Sequence, residues 1–185
     1  MREEIIDAAI NEFANSGLKF TMTDVAKSMG ISKKTIYTVF TSKEEVMEAI
    51  ADRYFSDFLI LEKEVELNQE MDVLSKIDLV LCALPDKYHN IGLNNLYGVR
   101  DKYPRVYKRL MGHVNKGWKS VEKYVNQGIE EHKIRPVSVP VLMSMIEGTV
   151  KQFMENSVLV NNQITYEEAK KEMADIIIEG IKVKK

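Results

Sequence analysis

The sequence predicts an all-α fold of about nine helices, a small N-terminal helical unit followed by a larger one. Three observations lead there. Apolar residues recur at spacings of three and four almost throughout. The 185 residues hold only nine glycines and four prolines. Helix-start boxes of the form Ser/Thr-x-x-Asp/Glu stand at Thr21, Ser42 and Thr165, each ahead of an apolar periodic run. With 45% hydrophobic and 29% charged residues, the chain has the composition of an ordinary globular protein and the length for a sizeable core.

The first helix is expected from Arg2 to Asn15, with Ile5, Ile6, Ala9, Ile10 and Phe13 on one face, ending at Asn15-Ser16-Gly17. Thr21 and Asp24 start a second helix that runs to Met29 and stops at Gly30. Ser32 caps a third, Lys33 to Phe40. Ser42 and Glu45 open a fourth that reaches Leu67, long enough to connect two units. Further helices are expected at 71–88, 91–100, 104–133, 138–160 and 165–183. Pro104 suits a first helical position, Arg135-Pro136 and Pro140 mark a turn, and Thr165 with Glu168 caps the last helix.

The formal charge of −2 argues against generic polyanion binding. Locally the balance is reversed: between Lys19 and Lys43 stand Lys19, Lys27, Lys33, Lys34 and Lys43 against one acid, Asp24. The single cysteine, Cys82, cannot form an intramolecular disulfide, which points to a reducing cytoplasm. No apolar run approaches the roughly 18 residues that cross a bilayer, so no membrane partner is expected. His89, His113 and His132 are too scattered for a metal site. There is no glycine-rich phosphate loop, GxSxG elbow or HExxH motif, so no catalytic residue, metal or cofactor is expected. An all-helical enzyme is the rival from another class.

The stretch TMTDVAKSMGISKKTIYTVF, residues 21 to 40, has the layout of a helix-turn-helix. Ala26 is small where two steeply crossing helices approach, and Gly30 suits a turn with positive φ. Val25, Met29, Ile31, Ile36, Val39 and Phe40 form an inward face. Lys33, Lys34, Thr35, Tyr37 and Thr38 are left outward, where they can reach phosphates and base edges in a major groove. The helix beginning at Thr21 offers a positive dipole end to a phosphate, and Lys43 can clamp another. A helical hairpin with a solvated lysine face would share part of this pattern.

These residues carry a resemblance. AINEFANSGLKFTMTDVAKSMGISKKTIYTVFTSKEEVMEAI, and within it GISKKTIYTVFTSKEEV, resembles the DNA-binding region of the TetR family of bacterial transcriptional regulators. The resemblance covers about the first 55 residues; beyond about residue 60 only length and helical layout agree. It implies a homodimer with a helix-turn-helix domain at 1–45 and a helical regulatory and dimerisation domain at 46–185. It further implies a repressor released from a palindromic operator by a small hydrophobic effector. Thr21, Thr23, Lys33, Lys34, Thr35, Tyr37, Thr38 and Lys43 become the expected contacts to double-stranded DNA. Val39 departs from the histidine or tyrosine that many relatives have at that place.

Dimerisation also follows from the geometry of reading two half-sites about 34 to 36 Å apart. The apolar positions of the last long helices, Leu142, Ile146, Val150 and Phe153 with Met173, Ile176, Ile177 and Ile181, would form a four-helix bundle with their twofold mates. The same positions suit an intramolecular core. Phe55, Phe58, Cys82, Tyr88, Leu96, Tyr97, Tyr103, Tyr107, Met111, Trp118 and Met143 are candidates for an adaptable effector pocket, and equally for plain core. An effector there would act by shifting the fourth helix, and with it the separation of the recognition helices. A DNA-binding dimer without any effector is the alternative.

Overall fold

The structure is a computed structural model. It describes the whole chain except residues 84–87, 89, 90, 92 and 185, and the side chains of Leu93, Asn94 and Leu96 also lie outside the described part. In chain order the helices are α1 (Arg2–Ser16), a 3₁₀ turn (Gly17–Lys19), α2 (Met22–Ser28), α3 (Lys33–Tyr37), α4 (Lys43–Leu67), α5 (Val73–Cys82), α6 (Leu93–Lys102), α7 (Pro104–Glu130), α8 (Val139–Glu155), α9 (Val158–Asn161) and α10 (Tyr166–Ile181). The described residues contain no strand; Ile134 and Lys182 form an isolated antiparallel bridge. Two compact units result, Met1–Asp57 with Pro85–His113, and Phe58–Leu84 with Val114–Lys185.

In the first unit α1 buries the expected face, Ile5, Ile6, Ala9, Ile10 and Phe13. Phe13 meets Phe20 edge to face at 6.2 Å. Gly17 ends α1 at φ +55°, where a side chain would be strained. Thr21 caps α2 through a reciprocal box: its hydroxyl accepts from Asp24 N–H at 3.3 Å, and the Asp24 carboxylate accepts from Thr21 N–H at 2.8 Å. The Thr21 hydroxyl and the Thr21 N–H, both donating to it, hold the Asp24 carboxyl below its usual range.

α2 ends in a Schellman turn, with Gly30 N–H on the Lys27 carbonyl at 3.2 Å and Ile31 N–H on that of Ala26 at 3.0 Å. Gly30 takes φ +65°. Ser32 then caps α3 by accepting from Thr35 N–H at 3.1 Å. α3 is shorter than expected and closes at Thr38, yet Ile36 and Phe40 are wholly buried. At α4 the cap shifts by one residue. Glu45 N–H binds the Ser42 hydroxyl, while the Glu45 carboxylate accepts from Thr41 N–H at 2.6 Å.

In the second unit Asp72 caps α5 through Leu74 and Ser75 N–H, and α5 packs along α10. The Lys170 ammonium of α10 is buried and donates to the Ala83 carbonyl at 2.9 Å; burial lowers its pKa to about 8. α7 ends where Lys133 and Ile134 N–H both reach the Gly128 carbonyl and His132 takes φ 56°. A Cβ at Gly128 would lie 2.5 Å from Ile134 Cδ1, so any larger residue there would have to displace the buried Ile134 side chain. The single helix expected at 138–160 is instead α8 and the short α9, separated by extended backbone at Asn156. Thr165 and Glu168 form the expected capping box on α10. The helix expected to 88 ends at Cys82, and the ends of the helices expected at 71–88 and 91–100 fall partly outside the described residues.

Two glycines make opposite predictions. Gly112 sits exposed in α7 with nothing near an added Cβ, so Gly112→Ala raises stability by about 0.5–1 kcal/mol through helix propensity. Gly30 has equal space but positive φ, so Gly30→Ala lowers it by about 1–2 kcal/mol. Urea denaturation of the two variants checks both signs.

Candidate nucleic-acid interface

α3 has only five residues and would not persist alone. Its orientation is set by Ile36 and Phe40, buried against a core that includes Phe20 and Val25. Met29, Ile31 and Val39 of the expected inward face are half-buried. Lys33, Lys34, Tyr37 and Thr38 are exposed, Tyr37 at 43%, and Thr35 is half-buried. Lys33 Nζ stands 5.7 Å from the centre of the Tyr37 ring. Thr21 and Thr23 at the start of α2 are exposed too. The Thr21 and Thr38 hydroxyl protons are already committed, to Asp24 Oδ2 at 2.8 Å and to the Thr35 carbonyl at 2.7 Å. A partner there meets oxygen lone pairs, methyl groups and the ammonium groups of Lys33 and Lys34.

Lys43 is held inward. Its ammonium donates to the Leu18 carbonyl at 2.8 Å and to that of Phe20, and lies 3.8 Å from the Phe20 ring centre. Burial lowers its pKa, and the neighbouring Lys102 adds to the effect. Lys43 thus pins the link between α1 and α2, with two of its three donors already used.

Beside these groups lies an open concavity of about 550 Å³, lined by Lys19, Thr21, Lys33, Tyr37 and Lys43 together with Lys102 and Tyr103. Lys102 is a residue the sequence reading missed. Tyr103, a candidate for the effector pocket, lines this concavity.

A second polar group in the first unit also escaped sequence reasoning. Asp52 accepts from Arg109 Nε and Nη2 at 2.5 and 2.7 Å, and His113 Nε2 is 2.9 Å from Asp52 Oδ1. Phe55 stacks on the His113 ring at 4.5 Å and 11°. His113 Nδ1 is buried with no hydrogen-bond partner among the described residues.

The other pocket candidates are divided between the units. Phe55, Tyr88, Tyr97, Tyr103, Tyr107 and Met111 belong to the first, and Phe58, Cys82, Trp118 and Met143 to the second. The Leu96 side chain lies outside the described residues. Tyr88 donates to Asp57 at 2.9 Å. Burial and Asp78 push the Cys82 thiol up to about 11, which disfavours its thiolate. Of the expected interface residues, Leu142, Ile146, Val150, Met173 and Ile181 are buried within the single chain. Phe153 and Ile177 are half-buried and Ile176 is 66% exposed.

Residues 5–50 match the family model for bacterial regulatory proteins of the tetR family. Over this N-terminal domain, the chain is similar to regulators of the TetR family. It is a DNA-binding transcriptional regulator of helix-turn-helix type. An uncharacterized HTH-type transcriptional regulator, YvaF of Bacillus subtilis, is 23% identical over 181 residues, 98% of this chain and 95% of the relative. Nucleoid occlusion factor SlmA of Vibrio atlanticus is 27% identical over 168 residues, 84% of each chain. Two solved structures share the fold of this chain. FadR of Bacillus subtilis, in complex with stearoyl-CoA, has a TM-score of 0.66 at 20% identity, covering 97% and 96% of the two chains. A transcriptional regulator of Cytophaga hutchinsonii has a TM-score of 0.73 at 21% identity, covering 98% of each. No helix among the described residues is long and apolar enough to cross a membrane.

Burial pushes the Asp52 carboxyl up, but the hydrogen bonds from Arg109 and His113 outweigh it and hold it below the usual carboxylate range. A depressed folded-state pKa stabilises above the unfolded value, about 3.9, and that contribution is lost as pH falls through the folded value. Asp52→Asn is therefore destabilising at pH 7, by at most about 1 kcal/mol given the solvent access of the pair. The difference from the parent shrinks as pH drops below about 4. Thermal unfolding of both proteins across pH reads it directly.

Proposed function

We propose that this chain is a cytoplasmic repressor that binds a palindromic operator as a homodimer and is released from it by a small hydrophobic effector. Residues 1–45 serve as the DNA-binding domain and 46–185 as the regulatory and dimerisation domain. The observation that carries the DNA-contact assignment is the exposed polar side of α3, Lys33, Lys34, Tyr37 and Thr38, opposite a wholly buried Ile36 and Phe40. Such a helix can enter a major groove only with that side leading. Thr21 and Thr23 contribute at the start of α2.

Lys34→Ala or Tyr37→Ala weakens binding to a duplex selected from random DNA by about 10- to 100-fold, in line with about 1–3 kcal/mol per base contact. The dimer is unaffected. Fluorescence anisotropy on the selected duplex and on a scrambled one separates the two kinds of contact: removing a base contact narrows the gap between them, whereas removing a phosphate contact lowers both equally. Parent-like binding by both variants would withdraw the assignment of α3 contacts.

For the dimer, the burial of Leu142, Ile146 and Val150 moves the proposed contact to the remaining apolar side of α8 and α10. Val141 and Met145 are 59% and 60% exposed, and Gly148 continues their stripe with nothing within 4 Å of an added Cβ. On α10, Ile176 is exposed and Gly180 is equally open. Apolar side chains beside uncrowded glycines suit close helix approach across a twofold axis. Met145→Asp with Ile176→Asp is expected to give a folded monomer by light scattering and to reduce operator affinity. A double variant that remains dimeric would place the interface elsewhere.

The effector reading draws on the FadR structure, which holds stearoyl-CoA, and on a 21% identical fatty acid metabolism regulator of Bacillus subtilis. Within the first unit, the buried His113 Nδ1 beside Phe55, with no hydrogen-bond partner among the described residues, offers a polar anchor in apolar surroundings. Long-chain acyl-CoA is accordingly the first ligand to try. It should lower operator affinity, and the operator should lower acyl-CoA affinity by the same factor.

A further inference from the structure

The lysine-lined concavity draws on two separate parts of the chain. Lys19, Lys33, Tyr37 and Lys43 come from the helix-turn-helix region and the start of α4, whereas Lys102 and Tyr103 come from the end of α6 and the residue after it. The helix-turn-helix reading explains the first group and leaves the second without a purpose.

α6 is brought there by close packing on the 3₁₀ turn. A Cβ on Gly98 would stand 2.6 Å from Leu18 Cδ1, and one on Gly17 would stand 2.2 Å from Asn95 Oδ1. Asn95, Gly98 and Lys102 follow one another by three and four residues, so they share one side of α6. The side that docks on the turn therefore ends in Lys102, which is exposed at the rim of the concavity.

The charges there are of one sign. Four lysines line the concavity, and none of the described lining residues is acidic. The acid next in sequence, Asp101, is taken by Arg100 at 2.9 Å, and Lys102 forms no ion pair among the described residues. Lys43 cannot move away to relieve repulsion, because its ammonium is held on the Leu18 and Phe20 carbonyls. An anion bridging the rim would offset this repulsion. The concavity opens beside Tyr37 of α3, the helix assigned to the major groove, and a phosphodiester flanking that groove is the nearest polyanion in such a complex.

We propose that Lys102 is a backbone-phosphate contact of the DNA interface, delivered by α6 from outside the helix-turn-helix and completed by Lys33 and Lys19 across the concavity. The proposal rests on the reading of α3 as the groove-entering helix. Under it, any displacement of α6 changes DNA affinity directly, by bringing the Lys102 ammonium onto the phosphate or withdrawing it.

The test uses the full-length protein, the duplex recovered by selection, and a mixed-sequence duplex of the same length. Affinities are measured from about 50 to 200 mM salt. Lys102→Ala is expected to flatten the slope of log K against log salt by about 0.9 for each phosphate no longer neutralised, equally on both duplexes. Lys102→Arg should restore the slope, and preference for the selected duplex should be unchanged in both variants. Circular dichroism melting should show Lys102→Ala folded as the parent, since the side chain is exposed. An unchanged slope for Lys102→Ala, alongside weakened binding by Lys34→Ala, would overturn this proposal and leave the DNA reading intact. If the parent binds neither duplex, both fail together. A third arm titrates inorganic phosphate: binding that requires Lys102 while the DNA slope does not would make this a free-anion site and overturn the proposal.

Discussion

The burial of Ile36 and Phe40 is the constraint from which the rest of the first unit follows. Five helical residues form too few hydrogen bonds to offset their own nucleation, so α3 exists only because Ile36 within it and Phe40 just beyond it are anchored in a core. The anchoring also fixes rotation about the helix axis. With Ile36 inside, Lys34, Tyr37 and Thr38 have nowhere to go but out. The Schellman turn supplies the other coordinate. Gly30 at φ +65° reverses the chain in the fewest residues, and the Ser32 cap starts α3 at once, leaving little freedom in the angle between α2 and α3.

Much of this was legible in the residues, for reasons that differ by position. Capping boxes depend on groups three residues apart, so Thr21 with Asp24 and Thr165 with Glu168 could be read without tertiary information. The box at Ser42 was half legible: the hydroxyl binds where expected, but Glu45 reaches one residue further back to Thr41 because both amides lie within its reach. Lys43 shows where local reading ends. At the head of an exposed-looking helix it reads as a free cation, and only the fold reveals the Leu18 and Phe20 carbonyls that face it across 23 or more residues of sequence. Five of the eight expected interface residues are covered by the chain itself, for a related reason. Helical periodicity identifies an apolar side, yet it does not say whether the chain or a second copy covers it. Leu142, Ile146 and Val150 went to the chain itself, and the narrower stripe of Val141 and Met145 was left outside.

Lys102 and the Asp52 cluster were illegible in a stricter sense. Each unites residues from helices far apart in sequence, and neither forms a motif by itself. Asp52 looks like one more acid on a solvated helix until Arg109 and His113 arrive from α7. What sequence did offer was indirect: Gly98 inside a helical run, where glycine is costly, and Gly17 at a helix end. Both turn out to be places where α6 and the 3₁₀ turn come too close for a Cβ. An interior helical glycine is thus a usable signal of tertiary contact, although it names no partner.

That packing gives α6 a direct bearing on the DNA-facing surface. The first compact unit contains both the helix-turn-helix and α6, so the concavity beside α3 draws on residues outside those matched by the family domain. Two consequences follow from the packing. Leu18, pressed against Gly98 on one side and carrying a carbonyl held by Lys43 on the other, links α6 to the start of α4 through one residue. And because Lys43 is fixed while Lys102 is exposed, the repulsion between them varies with the position of α6 and the rotamer of Lys102. A phosphate drawn into the concavity would favour the approach of Lys102, and its departure would favour retreat. Affinity for DNA and placement of α6 are then linked by reciprocity, with electrostatics in one concavity as the physical term that couples them.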